Sequence, residues 1–135
     1  MTATDVDQWL ADRVPRVLRA LGGSLDRGGI DGEDLGWVEG TFVPEDSAGV
    51  VFGVALGAAM VAAVDVVEMS ARPSASLSAM TIEIARDPRR GETLSLRGEV
   101  VSLTRSRASA GAVLVDAAGV VVARSTATLS RPPRG

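Results

Sequence analysis

The chain has 135 residues, enough for one hydrophobic core but not for two. A net charge of −3 and a total of two Trp, two Phe and no Tyr argue against a basic or aromatic platform for nucleic acid. With no His and no Cys there is no imidazole base, no thiolate nucleophile, no disulfide and no His- or Cys-held metal, so any catalysis must use carboxylates, hydroxyls, arginine, backbone N–H groups or water.

The N-terminal stretch is charged and amphipathic, with no basic segment leading into an apolar one, so no secretory signal is read there and a cytoplasmic location is expected. Residues 4–21 fit a helix. Trp9, Val14, Val17, Leu18 and Leu21 form the apolar stripe. Asp5, Asp7 and Asp12 come early and Arg13, Arg16 and Arg19 late, as the helix dipole favours. Pro15 either kinks this helix or ends a first short one, and Gly22-Gly23 stops it. The glycine-rich run 28–32 reads as a loop.

Residues 35–43 alternate as a strand, with Leu35, Trp37, Glu39, Thr41 and Val43 on one face and Val38 and Phe42 on the other. Pro44 breaks it, and Asp46 or Ser47 can cap the next helix by accepting from an orphan N–H one turn on. That helix covers residues 48–69. Its first 17 residues, Ala48 to Val64, carry no charge. That length is at the short limit for crossing about 30 Å of hydrocarbon, and the Ala/Gly-rich content drives insertion weakly, so no membrane span is expected. A helix apolar all round is instead surrounded by its own protein. Gly49, Gly53 and Gly57 share one face and require something to approach closely: a sheet, a second backbone or a ligand. Asp65 and Glu68 have two readings. They mark either the helix exit toward solvent or Arg72, or the acid of a site.

The pattern then changes to period two. Strands are expected over 74–86, 92–104, 108–115 and 120–130, with turns at 87–91, 105–107 and 116–119. The doubled Val100-Val101 suggests a bulge. Four such strands form an antiparallel meander with one face to cover, and the apolar helix is the natural cover. The fold class is therefore α+β, with residues 1–34 as an N-terminal helix and loop, 35–131 as the main domain and 132–135 as a tail.

A long central helix wrapped by an antiparallel sheet resembles the hotdog fold, and the sequence is similar to the phenylacetate-pathway branch of hotdog acyl-CoA thioesterases. The marks are Pro88-Arg89-Arg90-Gly91, Arg105 and Asp116-Ala117-Ala118-Gly119 in the branch's order and spacing. The branch opens its central helix with Asn-x-x-Gly-x-x-His-Gly-Gly, and an acidic residue stands nine positions after the His. Here Asp46 stands at the Asn position, Phe52 at the His, Gly53 and Val54 at the two glycines, and Val61 at the acidic position.

The resemblance implies an acyl-CoA or related acyl thioester as substrate, with coenzyme A as part of that substrate and no separate cofactor or metal. It also implies a homodimer or homotetramer with sites between protomers. Gly53 and Val54 would supply oxyanion N–H groups. Ser78 falls near a substrate-contacting position, and Arg105 and Arg107 would meet the nucleotide phosphates. The base must then be a displaced carboxylate. Asp65 lies one turn past Val61, about 40° round and about 6 Å along the helix, and Asp46 lies at the mouth of the oxyanion site. Each residue also has a structural role open to it: Asp46 as a helix cap, Asp65 at the helix exit, Ser78 on a solvent face, the arginines in a charged turn. Hydrolysis of an acyl thioester, acyl binding without turnover, and a structural role without a ligand all remain open.

Overall fold

The uncharged segment forms a 16-residue helix, Val50–Asp65, and an antiparallel sheet curls around it. The computed structural model describes residues 6–10, 16–32, 35–44, 50–67 and 75–131. In chain order these form a helical piece at 6–10 (α1), Arg16–Ala20 (α2), Gly23–Asp31 (β1), Leu35–Phe42 (β2), Val50–Asp65 (α3), Ser76–Ile84 (β3), Leu94–Leu103 (β4), Arg107–Val115 (β5) and Val121–Ser130 (β6). The expected α+β class, with a central helix, a wrapping antiparallel sheet and an N-terminal helical segment, is what the chain forms. Among the described residues no helix is long and apolar enough to cross a membrane.

The core lies between α3 and the inner face of the sheet. Phe42, Phe52, Leu56, Met60, Leu94, Leu96, Leu114 and Leu129 are all buried there. Glycines on the sheet let the helix seat deeply. A Cβ on Gly98 of β4 would lie 2.6 Å from the Ala59 carbonyl oxygen, and one on Gly36 of β2 would lie 2.1 Å from that of Ala63. The helix backbone therefore rests directly on β2 and β4 with no side chain between.

Two expectations are corrected. The run 28–32, read as a loop for its glycines, is mostly the second half of β1, which pairs with β2 from Gly23↔Phe42 to Asp31↔Leu35. Its glycines answer to packing. Val6 and Leu10 press on Gly28, and the Trp37 ring lies across Gly29, where a Cβ would come within 2.9 Å of the indole. Local propensity there is overridden by what covers the strand. The second correction concerns order. The last four strands are not a sequential meander, for the sheet runs β1-β2-β4-β5-β6-β3. β3 pairs only with β6 and forms an edge, while β4 pairs with β2. The expected bulge at Val100-Val101 is present as a register shift between Val100 and Ser102.

The β3–β4 connection must cross the end of the β5–β6 hairpin, and a polar network holds it there. Arg86 donates to both oxygens of Glu92, at 2.7 and 2.6 Å, and reaches Asp116 at 3.7 Å. Asp116 also accepts from the N–H groups of Ala118 and Val120, at 2.9 and 3.0 Å, which closes the hairpin around Gly119 at φ +83°. The bidentate Arg86 guanidinium holds the Glu92 carboxyl below its ordinary range, against partial burial, with help from the Arg89 N–H.

Glu92 has a lower pKa folded than unfolded, so its stabilisation is present above the unfolded pKa and lost as pH falls through the folded one. Glu92→Gln should therefore lower the urea midpoint at neutral pH, with the gap to wild type closing as pH falls below the ordinary glutamate range. Gly98→Ala forces a methyl group onto helix backbone and should cost about 2 kcal/mol or more in denaturant unfolding.

Candidate functional site

Helix α3 has two sides. Toward β2, β4 and β5 it is sealed. On the other side Val50, Gly53, Val54, Ala58, Val61 and Ala62 stay partly or fully open, forming one stripe along the helix. The edge strand β3 runs beside this stripe in the opposite direction. A Cβ on Gly53 would lie 3.2 Å from Ile82 Cδ1, and one on Gly57 would lie 3.2 Å from Leu77 Cδ1 and 3.8 Å from Met80 Sδ. The close approach expected on the glycine face is thus made by β3 side chains at Gly53 and Gly57, while Gly49 lies outside the described residues. A register shift between Leu77 and Ala79 puts Leu77 on the same face as Met80 and Ile82, which plain alternation over 74–86 does not give.

The result is an apolar wall that this chain leaves unfinished. Leu77, Ile82 and Ile84 are 41%, 39% and 45% exposed, and Val50 is 72% exposed. No titratable side chain stands among these wall residues.

The predicted site residues fall into two groups. Gly53 and Val54 lie in the first turn of α3 beside Ile82. Phe52 shares that turn but points the other way. It is wholly buried and meets Phe42 edge-on, with centroids 6.3 Å apart. Farther along the helix, at 1.5 Å per residue, come Val61, about 12 Å from Gly53, and Asp65, about 18 Å from it; Ser78 and the two arginines complete this group. Val61 is partly open on the stripe. Asp65 is 3% exposed, and its Oδ1 accepts a hydrogen bond from the Ala75 N–H at 3.1 Å, so the helix does not reach water there. Ser78 shares a hydroxyl hydrogen bond of 2.8 Å with Ser130. Ser130 lies between Arg107 of β5 and Ser76 of β3.

Arg105 and Arg107 sit exposed on a tight turn. The Thr104 N–H donates to the Arg107 carbonyl at 2.8 Å, the Arg107 N–H donates to Thr104 Oγ1 at 3.1 Å, and the Arg131 N–H donates to the Ser106 carbonyl at 2.9 Å. Asp46, Glu68 and Arg72 lie outside the described residues. Sequence reasoning missed Leu77, Met80 and Ile82 as site residues. Their signal was large apolar side chains on a strand whose first six residues are otherwise Ser, Ala and Thr.

No protein-family model matches the sequence, and no curated protein matches it. Solved structures do. Zebra fish thioesterase superfamily member 2 superposes with a TM-score of 0.73 at 16% identity, over 98% of this chain and 99% of that one. A further thioesterase-superfamily protein gives 0.72 at 19% identity, over 95% and 99%. The E. coli PaaI protein from the phenylacetic acid degradation operon gives 0.68 at 18%, over 87% and 85%. The fold is the hotdog fold that these structures share. Within that fold Phe52, which the sequence resemblance sets at the branch's histidine, is part of the core.

Placing a histidine there by Phe52→His should therefore cost about 3 kcal/mol, through the lost contact with Phe42 and a buried polar ring. It should produce no thiol release from any acyl-CoA, measured with a thiol-reactive dye beside thermal unfolding.

Proposed function

We propose that this hotdog protein takes an acyl-CoA, or a related acyl thioester, at a site completed by a second copy along β3. The observation that carries the reading is the difference between the two sheet edges. Along β1, helical residues pack on the strand, Asp26 and Arg27 are charged, and a register shift falls between Leu25 and Arg27. These are ordinary devices against edge pairing. β3 has little of this. From Ala79 to Ile84 its register with β6 is unbroken, and its one charge, Glu83, is held by Arg124 at 2.9 Å.

An isologous pairing of two β3 edges would be antiparallel. It would set the first turn of α3 in one copy against the Ser78 and Arg107 end of the other. The two groups, set apart along α3 within one chain, would thereby face each other across the interface. In that arrangement Gly53 and Val54 offer backbone N–H groups to a thioester carbonyl, the wall of Val61, Leu77 and Ile82 takes the acyl chain, and Arg105 and Arg107 of the partner subunit meet the phosphates.

Binding without turnover is the form these residues support best. Phe52 is core, and the Asp65 oxygen is engaged by the Ala75 N–H. Hydrolysis by a displaced carboxylate is the second reading, and its candidate in the sequence before α3 is Asp46. The wild type should sediment as a dimer or larger and give calorimetric heat with an acyl-CoA. Ile82→Lys should yield a folded monomer by far-UV circular dichroism, with that heat lost. A wild-type monomer would sink the shared site. Thiol release abolished by Asp46→Asn would establish the hydrolytic form instead.

A further inference from the structure

Asp65 is the last residue of α3 and is buried, beside the buried Ala63, Val64 and Val66, where a polar side chain must be hydrogen-bonded. Its Oδ1 accepts from the N–H of Ala75, the residue just before β3 begins.

The geometry points to Asp65 as the positioning residue that sets β3 along α3, and so shapes the wall of the acyl-thioester site without touching the ligand. This role rests on the acyl-thioester reading of that site. Within one chain, among the described residues, β3 has β6 as its single strand neighbour, so a tie at its start helps to fix its placement before a second copy pairs with it. The fit of Ile82 to Gly53 and of Leu77 to Gly57 depends on that placement. A slip of one residue, about 3.3 Å, would turn every inward side chain outward. Asp65 ties the C-terminal end of the helix to the chain just before the strand, two residues short of where Leu77 meets Gly57. The carboxylate therefore acts through β3 rather than on a reacting atom.

Two variants separate this from a base. Asp65→Asn keeps an acceptor oxygen of the same shape, whereas Asp65→Ala removes it. Hydrogen exchange is followed over 76–84, with 107–115 as the internal reference, and acyl-CoA affinity is measured by calorimetry. Asp65→Ala should lose about tenfold or more in exchange protection over 76–84 relative to 107–115, and a similar factor in affinity. Asp65→Asn should stay within about threefold of wild type in both, the rescue a lost base would not show.

Protection kept over 76–84 in Asp65→Ala would overturn the assignment. So would Asp65→Asn with wild-type protection but lost affinity or turnover, since the charge would then act on the ligand. If Asp65→Ala does not fold, the Asp65→Asn comparison decides by itself. If wild type binds no acyl-CoA, the proposed function fails, while the exchange arm still tests whether Asp65 holds β3.

Discussion

The rest of the structure depends on how closely α3 can approach the sheet. At Gly36 and Gly98 nothing larger than hydrogen fits between strand and helix backbone. That contact fixes the helix axis over β2 and β4. It drives Phe52 and Met60 into the core, Phe52 against Phe42 and Met60 against the Ser125 hydroxyl at 3.7 Å. It also turns Gly53 and Gly57 toward the opposite side. A helix held further off, over larger side chains, would be free to rotate, and its glycine face would have no defined neighbour.

The second consequence is an unfinished wall. Since α3 is seated toward β2 and β4, the strands at the other end of the sheet cover it less completely, and β3 meets its glycine face through Leu77, Met80 and Ile82. Those side chains touch the helix and yet stay partly open. The outer face of the same sheet has a different character. Arg27, Glu39 and Arg97 form ion pairs across β1, β2 and β4, and Arg97 lies over the Trp37 ring at 4.9 Å. Farther along, small side chains including Thr81, Ser109, Thr126 and Thr128 line a shallow hollow of about 310 Å³. Polar pairing finishes that face, whereas the helix side ends in exposed aliphatic groups.

Much of this was legible in the sequence. The uncharged run with glycines four apart announced a buried helix with one close neighbour. The later alternation announced the strands, and the doubled valine a bulge. Strand order was not legible, because β3 and β4 carry similar patterns and only the Arg86–Glu92–Asp116 crossing separates them in space. β1 was hidden because its glycines are required by Leu10 and Trp37, which lie elsewhere in the chain. For the candidate site the sequence offered a likeness of order but not the direction of each side chain. Phe52, aligned with the branch's histidine by that likeness, is buried against Phe42. Asp65 falls near the right helical face, yet its carboxylate is engaged by a backbone N–H ten residues on. Leu77 escaped notice because a bulge changes its face.

The most direct measurement is a crystal structure with an acyl-CoA thioether that cannot be cleaved. The expected result is the acyl group lying between α3 of one copy and β3 of another, against Gly53, Val61 and Ile82, with the phosphates at Arg105 and Arg107 of the partner subunit. A ligand seated instead in the hollow over Thr126 and Thr128, or an unpaired β3 edge in the complex, would contradict it.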